Sequence, residues 1–97
     1  MMAGAAGIAT AAFGTGAGTD RVQVVVTGQT GLVSGDHVEA WVMRDVTAEH
    51  NADEHELLAR DSRVLAEVSA SSELTVTVVC ETTWTGDFKV HWVWNNA

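Results

Sequence analysis

Two histidines and four carboxylates fall within the eight residues Glu49 to Glu56, inside TAEHNADEHELL, Thr47 to Leu58. No other stretch of the chain is as dense in side chains that could do chemistry. Imidazoles beside carboxylates can hold a divalent metal or relay protons. The helical zinc-hydrolase pattern needs two histidines four apart, with glutamate after the first. His50 and His55 are five apart, which on a helix separates them by about 140° and keeps them off one face. Asn51 follows His50, and Ala59 stands where a second histidine would follow His55. A calcium loop is suggested by the alternation of Glu49, Asn51 and Asp53. It would then need a glycine for its sharp turn and a bidentate glutamate at its end, and Glu54 and Arg60 occupy those places. An irregular metal site using His50, His55 and a carboxylate stays open. The other reading is a polar structural loop, hydrogen-bonded within itself or to a partner, with contacts sensitive to pH because histidine titrates near neutrality.

Elsewhere the catalytic signatures fail. Ser34, Asp36 and His37 are neighbours on a turn, whereas triads are assembled from distant segments. No glycine-rich loop follows a strand and opens a helix, so a phosphate cradle is excluded. Cys80 is the one cysteine. It rules out an internal disulfide and any cysteine-rich zinc site, and reads as a small buried hydrophobe. No catalytic residue and no cofactor is expected, and the chain does not read as an enzyme.

The elements that must position these residues are strands. The 97 residues suffice for one small domain. RVQVVVTG sets Val22, Val24 and Val26 on one face. HVEAWVMRD sets Val38, Ala40 and Val42 against Glu39, Trp41 and Met43. SRVLAEVSA aligns Val64, Ala66 and Val68. ELTVTVVCET turns Leu74, Val76, Val78 and Cys80 inward, with Glu73, Thr75, Thr77 and Glu81 outward. FKVHWVWN aligns Phe88, Val90, Trp92 and Trp94, with Lys89, His91 and Val93 opposite. Period-two alternation broken by turn residues predicts an all-β fold: a small antiparallel β-sandwich or barrel of five to seven strands. Only ADEHELLAR, residues 52–60, has helical propensity, with Asp53 and Glu56 resembling a capping box. A strand starting near Glu56 is the alternative.

Residues 1–20 hold five of the nine glycines. They are expected to form a flexible Gly/Ala-rich N-terminal arm ahead of a single β-domain over 21–97. Within the arm, Ile8, Thr10 and Ala12 share one side of a weak strand that runs to Phe13. It is either mobile or an edge strand that orders against a neighbour.

Five Lys and Arg against 13 Asp and Glu give a net charge of −8, which excludes nucleic acid and anionic membranes as partners. No apolar run reaches the ~18–20 residues of a membrane-spanning helix, and the start lacks the features of a signal peptide. The chain reads as soluble. Four tryptophans are many for this length. Trp92 and Trp94 belong with the core face. Trp41 and Met43 lie opposite it, either displayed as the centre of a protein interface or covered by a second layer. Trp84 sits at a turn, as a contact residue or a lid on the core. The interface candidates are Trp41, Met43, Glu49, His50, Asp53, Glu54, His55 and Trp84.

VTGQTGL (Val26–Leu32), VEAWVM (Val38–Met43), TAEHNADEH (Thr47–His55) and TGDFKVHWVW (Thr85–Trp94) occur in an order and spacing that resembles small virion structural proteins of tailed bacteriophages. The resemblance spans most of residues 20–95. It departs before the penultimate strand, where this chain has SASSEL in place of a glycine-rich or aromatic segment. It implies a compact β-domain of the capsid decoration (cement) kind, without catalytic residues. The implied protein is made in the host cytoplasm and sits on the capsid surface, where it docks on the major capsid protein as a homo-oligomer, with a trimer expected at local three-fold sites. A receptor- or glycan-binding module of a tail or head fibre is the alternative, and a small metal enzyme a third.

Overall fold

Alternating apolar residues decide most of this fold, and small residues decide the rest. The computed structural model describes residues 3–97. Its six strands are β1 (Gly4–Ala12), β2 (Thr19–Val26), β3 (His37–Trp41), β4 (Ser62–Ala70), β5 (Glu73–Trp84) and β6 (Asp87–Asn95), with one helix, α1 (Ala52–Asp61), between β3 and β4. They form two three-stranded antiparallel sheets, ordered β1-β6-β3 and β2-β5-β4. Neither sheet closes into a barrel. The molecule measures 44 × 21 × 20 Å.

One core joins the two sheets. Leu74, Val76, Val78 and Cys80 of β5 and Phe88, Val90, Trp92 and Trp94 of β6 are its centre, with Ala11, Phe13, Leu32 and Leu58. β5 and β6 are the middle strands, so their inward residues are the most completely buried. Thr75 and Thr77 point outward as their parity requires, yet are only 8% and 7% exposed. Neighbours on β2 and β4 cover them on both sides. Burial pushes the Cys80 thiol up to about 11, a small buried hydrophobe as its sequence context implies.

The segment expected to be a flexible arm is strand β1, paired along its whole length with β6. Its scarcity of apolar bulk is the reason it fits. A Cβ on Gly7 would lie 2.5 Å from the Trp92 ring, so a residue without one lets the strand lie flush against the indole. Ala11 and Phe13 are buried at the end of the strand. No boundary separates residues 4–20 from the rest, because β1 contributes to the shared core and β2 begins at Thr19.

Residues 52–61 take the helical alternative, and β4 follows at once. The capping box lies two residues earlier than Asp53 and Glu56. The Asn51 side chain accepts from Glu54 N, and the Glu54 side chain accepts from Asn51 N. The helix buries His55 and Leu58, one turn apart. Among the described residues no helix is long and apolar enough to cross a membrane.

Candidate functional site

β3 is shorter than the strand it pairs with, and this shapes the polar cluster. In β6, Asn95, Val93 and His91 face His37, Glu39 and Trp41 of β3. Beyond Trp41 the partner strand stops, so Lys89, Asp87 and Thr85 have no β3 neighbour. Backbone groups left unpaired beside a core are costly. Side chains of residues 47–55 take the place of the missing strand. Lys89 N donates to His55 Nε2 at 3.1 Å. Asp87 N donates to Glu49 Oε1 at 3.2 Å, and Thr47 Oγ1 donates to Asp87 O at 2.7 Å. His50 Nε2 donates to Thr85 O at 2.6 Å.

The two imidazoles also pack on one ring. His50 stacks on Phe88 with centroids 3.9 Å apart, and His55 meets it edge-on at 4.9 Å. Phe13 and Trp84 complete the cage at 5.7 and 5.6 Å. His55 is fully buried. Its Nδ1 donates to Asn51 O at 3.0 Å while Nε2 accepts from Lys89, which fixes the neutral tautomer and leaves neither nitrogen for a metal. Gly86 is required opposite His50: its φ is +81°, and a Cβ there would lie 2.8 Å from His50 Nε2.

The remaining acids of the cluster are engaged too. Asp53 and Glu56 both accept from Arg44 Nη1, at 2.7 and 2.9 Å, and Glu56 also meets Arg60 at 3.1 Å. The hydrogen bond from Asn51 N holds the Glu54 carboxyl below its usual range. His50 Nδ1 lies 3.5 Å from Glu54 Oε2 without a hydrogen bond. Among the described residues no three potential ligands gather around a common point. The cluster therefore does bring its histidines together, but around Phe88 and the β6 backbone.

Trp84 and Trp41 have different surroundings. Trp84 lies over the core against Phe88, and its Nε1 donates to Asp61 Oδ2 at 2.7 Å. The same oxygen accepts from Thr82 N and Oγ1, and these bonds, with Trp84's first, hold the Asp61 carboxyl low. Trp41 stands on the outer face of the β1-β6-β3 sheet, 39% exposed beside Met43 at 46%. Its Nε1 donates to Met43 Sδ at 3.4 Å, and its ring stacks on His91 at 6.0 Å. His91 Nε2 in turn donates to Asp45 Oδ2 at 2.9 Å, with Lys89 Nζ 3.5 Å from Oδ1.

Asp45 and His91 are the site residues that sequence reasoning missed. Asp45 is 46 residues from His91 and belongs to no recognised motif. The alternation of FKVHWVWN did place His91 on the outer face, the one signal available. The Asp45 carboxyl sits at about 2, held down first by the Val46 backbone N–H and next by His91. Ile8 pairs with His91 from the other side. Ile8, His91 and Trp41 thus form one row across the sheet, with Ile8 55% exposed. Of the arm residues, Ile8, Thr10 and Ala12 are exposed on this face, while Phe13 is buried in the core. Asp36, of the turn trio, accepts from Val33 N, Asn96 Nδ2 and Ala97 N, tying the chain terminus to the turn.

Comparison with protein-family models, with curated proteins and with solved structures finds no match to this chain.

Proposed function

We propose that this chain is a non-enzymatic virion structural protein of a tailed bacteriophage, a capsid decoration or cement protein that docks on the shell of the major capsid protein and stabilises it. Its two sheets are read as a small β-sandwich whose outer β1-β6-β3 face meets the shell. The observation that carries the reading is the division of labour among its functional side chains. The histidines and acids that could do chemistry are bound to backbone and to Arg44. The large apolar side chains exposed on the outer β1-β6-β3 face are Ile8 and Trp41, with Met43 just beyond β3. Large apolar residues flanking a histidine and rimmed by polar ones suit an interface centre. The net charge of −8 suits docking on a basic protein surface. The resemblance of the four sequence segments to phage virion proteins supplies the setting.

A receptor- or glycan-binding role on a tail or head fibre is the second reading. It is favoured by the exposed Trp41 indole beside Asp45, His91 and Lys89, because an aromatic platform with polar neighbours also suits a sugar ring. Copy number separates the two. Quantitative mass spectrometry of purified virions is expected to find about one chain per major capsid protein. A ratio far below one favours the fibre, and complete absence overturns both.

A further inference from the structure

The outer edge of β1 is unlike an ordinary sheet edge. Exposed edges are usually blunted by charge, proline, a bulge or shortness. β1 has nine residues, GAAGIATAA, without proline or charge, and its register with β6 runs unbroken from Gly4↔Asn95 to Ala12↔Asp87. Among the described residues it pairs with β6 alone. The first charged side chain of the sequence is Asp20.

The hydrogen-bond parity of this edge follows from its two ends. Asn96 N donates to Ala3 O, and Phe13 N donates to Gly86 O. The two pairs continue the β1–β6 register by one residue at either end, and hydrogen-bonded pairs alternate along an antiparallel ladder. The odd residues from 3 to 13 therefore turn their backbone groups toward β6. Gly4, Ala6, Ile8, Thr10 and Ala12 turn theirs toward open space. These same five residues are exposed, and Ala6, Ile8, Thr10 and Ala12 set their side chains on the outer face of the sheet.

We infer that two copies of this chain join through β1, antiparallel about a two-fold axis at Ile8. Gly4 faces Ala12 of the second copy, Ala6 faces its Thr10, and Ile8 faces its own counterpart. Every outward backbone group is then paired, by about ten hydrogen bonds, in a register that uses the whole strand. Two sheets of three strands become one of six, and the Trp41–His91–Ile8 row continues across the axis into its symmetry copy. Self-complementarity selects a second copy as the occupant: the outward residues 4, 6, 8, 10 and 12 are symmetric about Ile8, so the strand pairs with itself over its full length. Two chains of net −8 repel over most of their surface. Along this uncharged strand they meet without opposing like charges, and an isologous contact closes at two subunits. The inference concerns the isolated chain and stands independently of what the outer face docks on.

Sedimentation of the purified chain over a range of concentrations tests it, together with cysteine cross-linking. The wild type is expected to pass with rising concentration from a 10.3 kDa monomer to twice that mass. Ile8→Lys and Ala6→Pro change positions whose side chains and N–H groups face outward, so both are expected to keep the β-sheet spectrum and remain monomeric. Under mild oxidation Ile8→Cys is expected to cross-link to itself, because paired Cα atoms there would lie about 5.5 Å apart. Thr10→Cys alone is not, but it cross-links when mixed with Ala6→Cys. The buried Cys80 gives little background. A wild type that stays monomeric, a trimer or larger species, dimers undiminished in folded Ile8→Lys, or Thr10→Cys linking to itself as readily as Ile8→Cys would each overturn the inference.

Discussion

His55 is a buried imidazole whose two nitrogens each have a fixed backbone partner, Asn51 O and Lys89 N. Replacing it separates its two contributions. His55→Phe keeps a ring against Phe88 but leaves the Lys89 N–H without an acceptor, which costs about 1–3 kcal/mol. His55→Ala also opens a cavity, and is expected to cost about 3 kcal/mol or more. Urea unfolding measures both, and a chelator is expected to leave the wild-type midpoint unchanged. A midpoint that falls with chelator would restore a metal to the cluster. Asp45 gives a pH dependence of known sign. Its folded carboxyl lies at about 2 against an ordinary 3.8. As pH falls below about 4 the unfolded chain takes up the proton first, so this contribution is present above that value and is lost on the way to about 2. Asp36, Glu54 and Asp61 are lowered as well and add to the same trend. Thermal melts at several acidic pH values should show a shallower decline for Asp45→Asn than for the wild type.

At the level of elements, strand parity makes opposite predictions for adjacent residues of β1. Gly7 faces Trp92, so Gly7→Val forces the indole or the strand to move and is expected to cost about 1–3 kcal/mol. Ile8 faces outward, so Ile8→Ser should change stability of the monomer by no more than about 0.5 kcal/mol. Chemical denaturation at low concentration distinguishes them. β1 was also the element hardest to read in the sequence. Its glycines and alanines carry no hydrophobic pattern, and what holds them is a tryptophan surface on a strand more than eighty residues away for most of their pairings. By contrast, β5 and β6 were legible because β5 keeps one apolar face from Leu74 to Cys80 and β6 from Phe88 to Trp94. The helix was half legible: ADEHELLAR has the propensity, but the cap is at Asn51, and only the burial of His55 and Leu58 against the sheets decides helix over strand.

Across the whole molecule, the alternation of HVEAWVMRD placed Trp41 and Met43 opposite the core face but left open whether a second layer covers them; the structure leaves both exposed. The task of the His/carboxylate cluster was not, because His55 meets Lys89 across 34 residues and Glu49 meets Asp87 across 38. Local motif tests could only show which known sites the cluster fails to match. Its role appears once β3 is seen to stop short of the end of β6. Chemistry-bearing residues thereby serve architecture, and under the proposed function the exposed outer sheet face meets a partner. Binding to capsid shells stripped of this protein tests that claim most directly. The double variant Trp41→Ala/Met43→Ser, compared with wild type at matched unfolding midpoints, is expected to bind about thirtyfold more weakly or worse, the loss of an aromatic anchor worth about 2 kcal/mol. Undiminished binding by the folded double variant would contradict the account.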